Sequence, residues 1–134
     1  MFSRNKNLIN MKLITVFFMM FSLFGCAQKQ QYVSYAPAEF EKLLKENPAV
    51  QLVDVRRSDE FQAGHIDKAV LIDVSGADFM KKANTLLDKS KPVAVYCRSG
   101  KRSKEAAGQL SKEGFVVYEL DSGYLGWLDF FNTK

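Results

Sequence analysis

Along the second half of the chain, apolar residues fall at consecutive positions instead of alternate ones. The runs are VQLVDVR (Val50–Arg56), AVLIDV (Ala69–Val74), PVAVY (Pro92–Tyr96) and FVVYEL (Phe115–Leu120). Short unbroken runs of this kind predict strands buried on both faces. YVSY (Tyr32–Tyr35) alternates weakly and predicts a fifth, leading strand. The intervening segments repeat every three to four residues. PAEFEKLLKENP places Phe40, Leu43 and Leu44 on one helical face, with Pro37 at the first position and Asn47-Pro48 as terminator. Ser58 is expected to cap a short helix ending at Gly64. ADFMKKANTLL carries Phe79, Met80, Ala83, Leu86 and Leu87 at core spacing, and KRSKEAAGQLSKEG reads as a helix closed by Gly114. YLGWLDFF is a terminal helix whose aromatics, Trp127 and Phe130 among them, are expected to pack against the sheet. Strands alternating with helices predict an α/β domain: a central parallel five-stranded sheet with helices on both faces. Such sheets bind ligands beyond the carboxyl ends of their strands, which is where Cys97 falls.

The first residues follow a different pattern. From Met11, MKLITVFFMMFSLFGC has one lysine, twelve residues with an apolar character from Leu13 to Phe24, and then Gly25-Cys26. Twelve residues suit a secretory core and fall short of the roughly 20 needed to span a bilayer comfortably. The ending Leu23-Phe24-Gly25-Cys26 resembles the lipobox of bacterial lipoproteins, with Phe24 bulkier than is usual. That resemblance implies cleavage before Cys26, acylation of this cysteine and a lipid anchor on the periplasmic face of a membrane. With Ala27 following, the outer membrane is the default in a Gram-negative cell. The alternative is a retained membrane helix. Residues 1–25 are thus expected to be a signal peptide, 26–31 a polar tether and 32–134 the domain, with Met11 as an alternative start.

Charge then changes the picture. Three of the 19 basic residues (Arg4, Lys6, Lys12) lie in the leader, leaving 16 against 15 acidic residues from Cys26 onward. A net of +1 does not indicate a nucleic-acid surface. Positive charge is local, at Arg98, Lys101 and Arg102. With no CxxC and no Cys/His cluster, neither a metal site nor an internal disulfide is expected. Cys97 followed by ordinary turn residues would read as an inert buried thiol. Its actual neighbours argue otherwise. Gly100 lets the backbone curl into an anion-binding nest at the start of a helix, and cations around a thiol favour its ionised form. The pattern suits a nucleophilic sulfur meeting a sulfur, phosphorus or arsenic oxyanion.

Three stretches in order resemble the rhodanese (sulfurtransferase) family: LVDVRRSDEFQAGHI (Leu52–Ile66), VAVYCRSGKRS (Val93–Ser103) and LDSGYLGW (Leu120–Trp127). Asp67–Ala69 replaces the usual PGA, and Ser122 the first glycine of the last motif. The resemblance implies a rhodanese-like domain that needs no cofactor. Its cysteine takes a sulfane sulfur from thiosulfate or a persulfide, holds it as a persulfide and passes it to cyanide or a thiol. Cys97 would be the nucleophile. The loop Cys97–Arg102 would supply amides, and Arg98, Lys101 and Arg102 would bind the anion, aided by Ser99, Gly100 and Ser103. For Ser103, solvated helix capping is the preferred reading. The partners implied are a small anionic donor, a thiol or cyanide acceptor that can be carried by another protein, and the membrane; a monomer is expected.

Other residues receive structural readings. His65, the only histidine, is expected to make a hydrogen bond in its turn, and Arg56 to brace the loop with Glu60 while remaining a second candidate for substrate contact. A phosphatase or arsenate reductase of the same fold is the nearest rival enzyme. It uses a C-x5-R loop, whereas here the arginine arrives one position early, giving a smaller cradle that favours sulfur. The other rival is a non-catalytic persulfide carrier.

Overall fold

A computed structural model describes residues 31–134. The leader, Cys26 and the tether up to residue 30 lie outside the described residues. Five strands alternate with five helices: β1 (Val33–Tyr35), α1 (Pro37–Glu46), β2 (Gln51–Asp54), α2 (Ser58–Ala63), β3 (Val70–Leu71), α3 (Phe79–Leu86), β4 (Val93–Tyr96), α4 (Lys101–Lys112), β5 (Val117–Leu120) and α5 (Gly123–Asn132). The strands form one sheet in the order β1-β5-β4-β2-β3, and every pairing is parallel. The α/β architecture expected from the pattern is the one observed.

The consecutive apolar runs are explained by burial on both faces. β4 is buried at all four positions. Val53, Val93, Val95 and Val117 point to a core shared with Phe79, Ala83, Ala106, Ala107 and Leu110 from α3 and α4. Leu52, Ala94, Tyr96 and Leu120 point to the other, which Phe40 fills from α1 and Trp127 borders from α5. Each fully buried aliphatic side chain contributes about 1.5–3 kcal/mol of transfer free energy, and β4 gathers four buried residues at the sheet's centre. The ladder fixes where β4 ends, and so where Cys97 begins its loop.

Four details differ from the sequence reading. Arg57, not Ser58, is the residue before α2, and its N–H is satisfied by the Glu60 carboxylate at 3.2 Å. The third strand shrinks from six residues to two, although the Ile72 and Val74 N–H groups still donate to the Asp54 and Val55 carbonyls before the chain leaves for α3. Leu86 is 57% exposed, since α3 turns that position to solvent. On α5, Trp127 meets Phe40 edge-on at 6.1 Å, but Leu125, Leu128 and Phe131 face solvent.

Candidate active site

The thiol loop is short. Cys97 follows β4 directly, Arg98–Gly100 turn the chain, and α4 begins at Lys101. Two glycines make the turn possible. Gly100 has φ +99°, and a Cβ there would lie 2.0 Å from the Asp121 carbonyl oxygen. Gly123 has φ +64°, and its Cβ would lie 2.5 Å from the backbone of Arg98. A side chain at either position would therefore be strained and would also collide. The close approach at Gly123 lets the first turn of α5 grip the loop. Tyr124 N–H donates to the Cys97 carbonyl at 2.8 Å, and Leu125 N–H to the Arg98 carbonyl at 3.1 Å. These are amides that a helix start leaves without intrahelical partners. With its carbonyls turned toward α5, the loop presents N–H groups to the sulfur. Gly100 N–H donates to Cys97 Sγ at 3.1 Å.

Cys97 is only 1% exposed. Burial alone pushes its thiol pKa up. Hydrogen bonds from the Ser103 hydroxyl and from the backbone of Ser103, Gly100 and Ser99 outweigh that and hold it below the usual value. The N-terminus of the twelve-residue α4 points at the same place and also favours negative charge. Arg98 and Lys101 are exposed at the loop and make no ion pair with any described residue.

Arg102 is placed differently from the other two cations. Its guanidinium grips Glu60 through two bonds of 2.7 and 2.9 Å, tying α4 to α2. This pairing holds the Glu60 carboxyl down at about 2. Part of the charge of Arg102 is therefore answered within the protein. Ser103 is not a solvated cap. It is completely buried, with Oγ 3.4 Å from Cys97 Sγ and 2.7 Å from Glu119 Oε1.

The expected Arg56–Glu60 brace is absent, because a nearer carboxylate takes the guanidinium. Arg56 Nε lies 2.9 and 3.0 Å from the two oxygens of Asp54, and Nη2 donates to Oδ2 at 2.6 Å and to the Gly64 carbonyl at 2.7 Å. The guanidinium carbon lies 4.4 Å from the Tyr124 ring centroid. At 4% exposure, Arg56 is a buried anchor for the turn after α2 and is not open to a substrate. Tyr96 supports the same turn, its hydroxyl accepting the Ile66 N–H at 3.0 Å. His65 is exposed, stacks on Phe61 at 3.7 Å and places Nδ1 2.8 Å from the Phe61 carbonyl.

Sequence reasoning passed over Glu119 and Lys104. Glu119 is fully buried within β5, and Lys104 Nζ lies 3.1 and 3.3 Å from its two carboxylate oxygens. The available signal was a lone glutamate in the otherwise apolar run FVVYEL. A groove of 690 Å³ between α2, β3 and α3 includes Ser58, Asp73 and Lys82 but none of the loop residues. The loop's own N–H groups, not that groove, converge on the sulfur.

Comparison with known proteins agrees with this geometry. The rhodanese-like domain family matches residues 36–130. The thiosulfate sulfurtransferase GlpE of Pseudomonas savastanoi pv. phaseolicola is 43% identical over 93 residues, covering 68% of this chain and 83% of that protein. Thiosulfate sulfurtransferase 18 of Arabidopsis thaliana is 28% identical over 120 residues, covering 81% and 87%. Among solved structures, the polysulfide-sulfur transferase homodimer of Wolinella succinogenes superposes with a TM-score of 0.62 at 30% identity, covering 86% of each chain.

Proposed function

Because the chain belongs to the rhodanese-like family, we propose that it is a sulfurtransferase of the thiosulfate type in which Cys97 carries the transferred sulfur. The ionised sulfur attacks the outer, sulfane sulfur of thiosulfate. A Cys97–sulfur bond forms, the sulfur–sulfur bond of the donor breaks, and sulfite leaves with its electron pair. Cyanide or a thiolate then attacks the outer sulfur of the persulfide and takes it away as thiocyanate or a new persulfide. The Cys97 thiolate is restored, with no net oxidation of the enzyme.

The observation that carries this reading is the Cys97 sulfur held by inward-facing amides, with Gly100 N–H at 3.1 Å, under two uncommitted cations, Arg98 and Lys101. The amides stabilise first the thiolate and then the anionic persulfide, and preorganised donors of this sort cost no rearrangement during reaction. Arg98 and Lys101 draw the donor's sulfonate to the loop. Arg102 keeps the loop's first helical turn in place through Glu60 and adds charge from behind.

The same proposal includes a lipid anchor at Cys26 that holds the domain outside the cytoplasm. It is supported by the apolar run Leu13–Phe24 and the Gly25-Cys26 ending. A Cys26→Ser chain that still fractionates as an acylated membrane protein would remove this part alone.

The test of the activity uses the full chain in detergent. Incubation with thiosulfate should add one sulfur atom to the Cys97 peptide by mass, and cyanide should release it as thiocyanate. Cys97→Ser should lose both, and para-nitrophenyl phosphate should stay uncut. Sulfur uptake without turnover would identify a carrier, and phosphate release would identify the rival hydrolase.

A further inference from the structure

Behind the sulfur lies a buried polar cluster that the reaction above does not use. Glu119 has no exposed surface, yet it sits on a strand in the middle of the fold. Its Oε1 accepts from Ser103 Oγ at 2.7 Å and from Lys104 Nζ at 3.1 Å. Its Oε2 accepts from Ser34 Oγ at 2.7 Å and from Lys104 Nζ at 3.3 Å. Burying a carboxylate is costly, and an isosteric apolar residue would often serve stability equally well. The distinguishing contact is Ser103, whose oxygen also lies 3.4 Å from Cys97 Sγ.

A serine hydroxyl has one hydrogen and two lone pairs. With Cys97 protonated, S–H donates to Ser103, and Ser103 donates onward to Glu119. With Cys97 ionised, two anionic acceptors compete for the same hydrogen. Turning it to sulfur leaves Oε1 with Lys104 and Oε2 with Ser34 and Lys104, so no carboxylate oxygen is orphaned. The cluster thus has two complete arrangements, one for each state of the sulfur.

We propose that Glu119 is a positioning residue for Cys97: through Ser103 it sets how readily the thiol gives up its proton, with Lys104 holding the carboxylate's pull in check. The chemical meaning of this device rests on Cys97 being the nucleophile, but the device itself is a property of the thiol and is measured without turnover. The other charges facing the sulfur are already committed or distant in bonding. Arg102 on α4 is paired with Glu60 of α2, and Asp54 and Arg56 beyond β2 are paired with each other. Arg98 and Lys101 stand at the loop's exposed side. Among the described residues, Glu119 alone of the charged groups shares a hydroxyl with the sulfur, and Lys104 acts on it through Glu119.

The signs follow directly. Glu119→Gln removes the competing charge, frees the Ser103 hydrogen for sulfur, and lowers the Cys97 pKa by about 0.5 to 1. Lys104→Gln leaves the carboxylate's claim on Ser103 unopposed and raises it by a similar amount. Lys104 is partly exposed, so this second variant folds even if the first does not. The measurement is the pH dependence of Cys97 alkylation in the full chain, followed on the Cys97 peptide by mass so that Cys26 does not interfere. In a Ser103→Ala background both displacements should shrink to less than half. Native-like titration in both variants, or displacements that persist undiminished without the Ser103 hydroxyl, would overturn the proposal, whatever the protein's activity toward thiosulfate.

Discussion

Two buried carboxylates stand on the two strands that flank β4, and they are built to opposite ends. Asp54 and Arg56 are both sealed, at 0% and 4% exposure, and grip each other through several bonds while Arg56 also holds the Gly64 carbonyl. Glu119 is equally buried, but its cation Lys104 is 43% exposed and one of its two serine donors, Ser103, is shared with the sulfur. The first pair has a single arrangement and pins a turn. The second has two and can respond to the protonation of Cys97. A buried ion pair is therefore not one kind of object: what matters is whether its hydrogen bonds have another place to go.

Breaking the sealed pair should give the largest effect. Arg56→Met leaves Asp54 charged and unpaired in the interior, where such losses run to about 3–5 kcal/mol. Urea denaturation of the variant should show that loss, while Cys97 in the surviving folded protein titrates as in the parent. A displaced thiol titration would mean that both pairs communicate with the sulfur, and the two carboxylates would no longer differ in kind. Lys104→Gln should cost less, about 2 kcal/mol, since Glu119 keeps Ser34 and Ser103 as donors. Here it is the thiol that should move.

The contrast also explains what could be read from the sequence. Runs such as VAVY announce burial on both faces, and a parallel sheet follows from that alone. Gly100 and the cysteine after a strand mark the nest, because the turn needs a left-handed residue at a close approach. Pairing was illegible. Arg56 lies two residues from Asp54 and four from Glu60, and spacing did not show which carboxylate it meets. In the folded chain Glu60 is drawn instead to Arg102, 42 residues away. Ser103 looked like a cap because helix starts favour serine. Its burial depends on Glu119, 16 residues on and outside any local pattern.

A third pair, Glu60–Arg102, sharpens the comparison from the solvent side. Both side chains are partly exposed, at 21% and 27%, so screening reduces their attraction to the order of 1 kcal/mol despite the bidentate geometry. The sign is fixed by the folded carboxyl value of about 2, below the ordinary 4.5. A depressed value stabilises the fold at every pH above the unfolded value, and that contribution fades as pH falls from 4.5 toward 2. Glu60→Gln should therefore lower the urea midpoint at pH 7 and lose its disadvantage progressively below pH 4.5. A deficit that persisted unchanged at pH 2 would assign the effect to packing instead of charge.

The smallest effect belongs to a group with no arrangement at all. Ser122 Oγ is buried without a hydrogen-bond partner among the described residues. It faces Gly126, where an added Cβ would fall 2.0 Å from that oxygen, so the first turn of α5 is already full. Ser122 has φ −93° and ψ −3°, a conformation open to any L-residue, so no backbone penalty attends a change there. Ser122→Ala removes the orphan hydroxyl, keeps the Cβ and leaves the Tyr124 and Leu125 amides on the loop carbonyls. The gain should be about 1 kcal/mol in denaturant titration, the low end of the desolvation cost of one unpaired hydroxyl, with thiol alkylation unaltered. A loss of stability instead would show that the hydroxyl has a partner, and that the grip of α5 on the Cys97 loop runs through it.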